Sequence, residues 1–78
     1  MHLAEYSMEM KIRLGRIANE VHSAVAVDNG DFLESAVEGE TIVAHISSAT
    51  LMSLLRSADD FIACIEVAAA AMLRKDNP

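Results

Sequence analysis

"FLESAVEGETIVAHIS", residues 32–47, is the stretch on which the fold turns. Leu33, Ser35 and Val37 fall on one face of an extended chain, and Ile42, Ala44 and Ile46 on one face of a second, because successive strand side chains point to opposite sides. Between them stands "EGE", in which Gly39 can take the positive φ that a tight reversal demands. The stretch predicts a β-hairpin. Its other face holds Glu34, Thr41, His45 and Ser47, interrupted by Phe32, Ala36 and Val43.

Outward from the hairpin, the pattern changes period twice. After it, Ser48 or Thr50 offers a capping hydroxyl, and Leu51, Leu54, Leu55, Ala58, Phe61, Ile62, Ile65, Ala68, Ala69 and Met72 recur at helical spacing as far as Leu73. Within that helix, Ala58, Phe61, Ile65, Ala68 and Met72 form a sheet-facing stripe. Arg74 and Lys75 suit the negative end of the helix dipole, and Pro78 cannot continue a helix. Before the hairpin, Ala4, Tyr6, Met8, Met10 and Ile12 alternate with Glu5, Ser7, Glu9 and Lys11, which predicts a strand over Leu3 to Ile12 with one wet face. "LGRIANEVHSAV" follows, with Leu14, Ile17, Ala18, Val21, Ala24 and Val25 at intervals of three and four, and predicts a helix of about three turns. "VDNGD", residues 27–31, stops it with turn-forming side chains. The order is therefore β-α-β-β-α. Each helix has one apolar stripe to hide, so the expected fold class is α+β: a three-stranded antiparallel sheet with two helices on one face.

Length and composition fit a single small domain over residues 1–78. A chain of 78 residues buries only about 60% of its unfolded surface when it folds alone, which makes a partner a reasonable expectation. Hydrophobic residues make up 53% of the chain, too many for a disordered tail. The longest apolar-rich stretch, "LRSADDFIACIEVAAAAML" at 55–73, contains Asp59, Asp60 and Glu66, so it reads as a helix of a folded domain and not as a membrane span. "MHLAEYSMEMK" has no basic region followed by an apolar run, so no signal peptide is expected and the cytoplasm is the expected compartment.

Chemistry-bearing groups are few. The formal charge is -6, and no basic run could track a phosphate backbone. His2, His22 and His45 fall on a terminus, a helix and a strand, with no pair at metal-ligand spacing, and read as surface histidines. Asp59 and Asp60 are neighbours on a helix and diverge by about 100°, too far to share a proton as a catalytic carboxylate pair does. No glycine elbow presents a serine and no glycine-rich loop could hold a phosphate. Cys64 can make no internal disulfide and reads as a small hydrophobe. No catalytic residue, metal site or cofactor is expected.

The element order, the hairpin "VEGETIVAHIS", the first-helix segment "IANEVHSAV" and the run "ATLMSLLRSADDFIACIEVA" together resemble the small dimerisation subunit of the KEOPS complex. The likeness covers nearly the whole chain and rests mostly on apolar positions. The family pattern starts its second helix with Asp, then carries Leu-Arg, an Asn-Ser-Tyr or similar, and Arg-Trp-Ile. The corresponding places here read Thr50, Leu54-Leu55, Asp59-Asp60-Phe61 and Ala63-Cys64-Ile65. Thr50 keeps a capping oxygen. Two arginines become Leu55 and Ala63 and an amide becomes Asp59, so one helical line loses positive charge.

That resemblance implies a non-catalytic subunit. KEOPS installs threonylcarbamoyl on an adenosine beside the anticodon of certain tRNAs, and a separate subunit of the actin-like ATPase fold does the chemistry. The small subunit dimerises and docks its helices on that catalytic subunit. For this chain it implies a homodimer, or a heterodimer with a paralogous small subunit, and only an indirect or weak tRNA contact, since phosphate affinity rests on cationic side chains. The partner-binding residues expected on the flank of the second helix are Leu55, Asp59, Ile62, Ala63 and Glu66. Two other classes share the topology: a KH-like RNA-binding module, which would want a glycine-rich basic loop, and a small ligand-binding domain with its site at a dimer interface.

Overall fold

The computed structural model describes residues 5–26 and 33–75. The elements are β1 (Tyr6–Arg13), a 3-10 turn (Gly15–Ile17), α1 (Ala18–Ala26), β2 (Leu33–Glu38), β3 (Thr41–Ser48) and α2 (Leu51–Lys75). This is the expected β-α-β-β-α order, and the three strands form one antiparallel sheet. The reversal expected at 27–31, the expected start of β1 at residues 3–4, and the helix-stopping residues 76–78 lie outside the described residues, as do His2 and Phe32.

β3 is the central strand, with β1 and β2 on its two sides. Register runs from Tyr6 opposite Ser48 to Arg13 opposite Thr41, and from Leu33 opposite Ile46 to Glu38 opposite Thr41. Gly39 has φ 65 at the tight turn, as the reversal requires. Because side-chain alternation has a period of two, this register puts Met8, Met10, Ile12, Leu33, Val37, Ile42, Ala44 and Ile46 on the same side. Both helices cover that side.

The start of the first helix differs from expectation. Its first turn is a 3-10 turn, and Gly15 just after β1 has φ 69. The backbone N–H groups of Leu14 and Gly15 both donate to the Glu40 carbonyl, at 2.9 and 3.1 Å. Holding the end of β1 against the hairpin turn forces a sharp change of direction there, and a residue without Cβ adopts the left-handed conformation at least cost. α1 then buries Ala18, Val21 and Val25, while Ala24, expected on the apolar stripe, is exposed.

α2 begins where Thr50 caps it: the Ser53 N–H donates to Thr50 Oγ1 at 3.1 Å. Leu54, Ala58, Phe61 and Ile65 are buried at three- and four-residue spacing, with Ala68, Ala69 and Met72 half-buried beyond them. Burying each large apolar side chain contributes about 1.5–3 kcal/mol. The core forms two clusters, Ile17, Val21, Val25, Ile42, Phe61 and Ile65 in one and Ile46, Leu54 and Ala58 in the other, and Met10 and Leu33 pack against both. A helix of 25 residues is about 37 Å long, whereas an eight-residue strand spans about 26 Å. α2 is thus longer than any strand; its last turns still pack on the core through Ala68, Ala69 and Met72, while Ala70, Ala71, Leu73 and Arg74, on the outward side, are exposed.

Candidate docking surface

α1 touches β2 and β3, and α2 touches β3 and β1 and packs beside α1. One flank of α2 is thus turned toward α1. On it Ala63, Cys64, Val67 and Ala68 face Ala24 and Val25 across an apolar groove. Cys64 is exposed in that groove.

The other flank, away from α1, carries exposed apolar residues. Successive residues of an α-helix advance by about 100°, so Leu51, Ile62, Leu55 and Leu73 fall within about 40° of one another. All four are exposed. Their line is rotated by about 80° from the buried ridge, on the side away from α1. Asp59 and Glu66, also exposed, lie on its outer edge. Arg56 and Arg74 fall about 100° or more from the centre of the line.

All five residues singled out as partner-binding are solvent-exposed. Leu55, Asp59, Ile62 and Glu66 share the free flank, whereas Ala63 lines the groove beside α1. Leu51 and Leu73 belong to the free line as well. The helical period carries both to it, since 51, 55, 62 and 73 are separated by four, seven and eleven residues. Thr50 caps the helix immediately before Leu51, the first of them.

The open face of the sheet has a different chemistry. Glu9, His45 and Glu34 form a row across the three strands. His45 Nε2 lies 3.0 Å from Glu9 Oε2. Ser7 and Ser47 border this row in a shallow polar concavity. Glu9 also lies 3.9 Å from Lys11, and Arg13 lies 3.7 Å from Glu40; both pairs are exposed and contribute little to stability. An acidic row is the wrong sign for a phosphate backbone. Among the described residues, no three His, Cys, Asp or Glu side chains are grouped so as to hold a metal ion.

Two side chains depart from the expected surface roles. His22 is half-buried, and its Nε2 lies 2.9 Å from Ser35 Oγ, which ties α1 to β2. Ser35 had a place on the inward face of β2, where a hydroxyl needs a partner; the helical position of His22 opposite that face is the signal that pairs them. Val43 is only 7% exposed although it lies on the open face. It occupies the middle of the central strand, with Lys11 and Ala36 beside it in register.

No helix among the described residues is long and apolar enough to cross a membrane. No protein-family model matches the chain, and neither a curated protein nor a solved structure is significantly similar to it.

Proposed function

We propose that this chain is a non-catalytic scaffold subunit of a tRNA-modifying assembly of the KEOPS type. It works in the cytoplasm as a homodimer, or as a heterodimer with a paralogous small subunit, and docks on the catalytic subunit of the actin-like ATPase fold. The reading assigns the chain no chemical step: the threonylcarbamoyl transfer belongs to the partner, and this chain supplies placement.

One observation supports it above the others. α2 has two apolar ridges, of which the inner closes the core and the outer, Leu51, Leu55, Ile62 and Leu73, stands in solvent. An exposed apolar line of this kind is covered at a free-energy gain when another helix packs on it. The small, half-buried Ala69, which falls on the line, would let a second helix approach closely. Contact through the edge of β1 is less suited to the role, since Glu9, Lys11 and Arg13 charge that strand and charged edges discourage strand addition. Asp59, Glu66 and the Glu9–His45–Glu34 row leave tRNA contact to other subunits.

Co-expression with a tagged actin-like ATPase-fold subunit of KEOPS, followed by size-exclusion chromatography with light scattering, tests the reading. The expected result is a stoichiometric complex that elutes as one species. Separate elution of the two chains at micromolar concentration contradicts it.

A further inference from the structure

β1 is an edge strand, and its free edge has a self-complementary sequence. The two-residue turn between Glu38 and Thr41 makes those two a hydrogen-bonded pair, so the backbone groups of Ile42 turn the other way, toward β1. In register with it, Ile12, Met10, Met8 and Tyr6 turn their backbone groups toward β3, a phase that the Leu14 N–H keeps by donating to the Glu40 carbonyl. Those of Ser7, Glu9, Lys11 and Arg13 therefore point outward, where no described strand pairs with them. The inward side chains of β1 are incompletely covered as well. Met8, Met10 and Ile12 are half-buried, whereas Ile46, Ala44 and Ile42 opposite them on β3 are buried.

A strand added here must keep the two faces of the sheet in phase. An antiparallel second copy of β1 does so when Met10 stands opposite Met10. Glu9 of each copy then faces Lys11 of the other, Ser7 faces Arg13, and Met8 faces Ile12. The open face of the sheet gains two acid–base pairs and the helix-covered face gains apolar ones. The neighbouring registers place Glu9 opposite Glu9 or Lys11 opposite Lys11. Opposite charges directly across a strand pair are favourable and like charges unfavourable, so the charges of β1 select the alignment centred on Met10. Within one copy Lys11 and Glu9 are 3.9 Å apart and exposed, a weak pair that leaves both groups available across the seam. The formal charge of -6 opposes association at long range. The charges that make β1 a poor edge for an arbitrary strand are thus matched in its own copy.

We propose that two copies of this chain join through β1, antiparallel and centred on Met10, into one six-stranded sheet with a two-fold axis normal to it. This rests on the dimer of the function proposed above and gives that dimer its interface: a sheet edge, on which Glu9 and Lys11 set the register.

The test uses the full chain, with far-UV circular dichroism confirming that each variant is folded. In sedimentation equilibrium at neutral pH and physiological salt the wild type should dimerise. Glu9→Lys and Lys11→Glu should each weaken the dimer by about tenfold or more, and the two variants mixed should pair with each other in preference to themselves. Glu9→Lys/Lys11→Glu in one chain should restore the wild-type affinity. Register is read by oxidative cross-linking in a Cys64→Ser background. Glu9→Cys mixed with Lys11→Cys should form the interchain disulfide and neither alone should, because opposed residues stand about 5.5 Å apart at Cα, whereas the two copies of Glu9 stand about 8 Å apart, beyond disulfide reach. A wild type that stays monomeric at about 100 μM overturns the proposal. So do charge reversals that leave association unchanged, or a disulfide formed as readily by Glu9→Cys alone. Failure of the chain to bind the KEOPS catalytic subunit would remove the assembly role and leave the strand pairing standing; a dimer indifferent to these changes in β1 would remove the pairing and leave the assembly role standing.

Discussion

Leu54 and Leu55 are adjacent and chemically identical, yet Leu54 is 3% exposed and Leu55 44%. One step of a helix separates them, and that rotation decides whether a leucine stabilises this molecule or faces outward from it. Leu54 packs with Ala58 and Ile46 over Met8, Met10 and Leu33. Leu55 joins Leu51, Ile62 and Leu73 in a line that no described element covers. α2 therefore carries two ridges: an inner one packed on the sheet and an outer one exposed to solvent. Where composition reports only an alanine- and leucine-rich segment, the phase of the helix divides it into a buried face and an exposed one.

The largest expected effect breaks the inner ridge. Phe61→Ala removes a buried ring from the cluster of Val21, Val25, Ile42 and Ile65 and should destabilise the chain by about 3–5 kcal/mol, with Leu54→Ala at about 2–5, as read from urea unfolding. Next is the turn that sets the sheet register beneath that ridge. Gly39 has φ 65 with open space where a Cβ would stand, so Gly39→Ala should cost about 1–2 kcal/mol from backbone conformation alone and no more. The cap follows: Thr50→Ala loses the bond from the Ser53 N–H and should cost about 1 kcal/mol, with hydrogen exchange accelerated in the first turn of α2 and unaltered at Phe61. Smallest is the outer ridge itself. Leu55→Ala and Ile62→Ala should each change the stability of the isolated chain by no more than about 0.5 kcal/mol. A loss at Leu55 equal to that at Leu54 would erase the distinction between the two ridges.

Much of this was legible before any coordinates. Alternation in Tyr6 to Ile12 and across the hairpin specified three strands, the three-and-four spacing of Leu54, Ala58, Phe61 and Ile65 specified the buried ridge, and Gly39 and Thr50 marked a turn and a cap. Those signals are local: each depends on a period or on one residue's backbone preference. What escaped depends on partners distant in sequence. Gly15 sits unremarked in the helical stretch "LGRIANEVHSAV", and its turn depends on the Glu40 carbonyl that accepts from its N–H. His22 reads as a surface histidine until Ser35, thirteen residues on, turns its hydroxyl toward it. Val43 reads as a surface apolar residue until β3 proves to be the central strand. For the candidate surface, periodicity placed Leu55, Asp59, Ile62 and Glu66 together. Ala63 falls apart from them, in the groove beside α1, because the position of α1 beside α2 is a tertiary fact. Ala24 and Cys64 are exposed for the same reason, since both line the groove between the two helices.

The central claim is that the outer ridge of α2 is a contact surface separable from the fold. Leu55→Arg/Ile62→Glu in the full chain, measured for thermal unfolding and for complex formation with the actin-like ATPase-fold subunit of KEOPS, tests it most directly. The expected result is an unfolding midpoint close to that of the wild type and loss of the complex. A complex retained in full by the folded variant, or a variant that no longer folds, would contradict it.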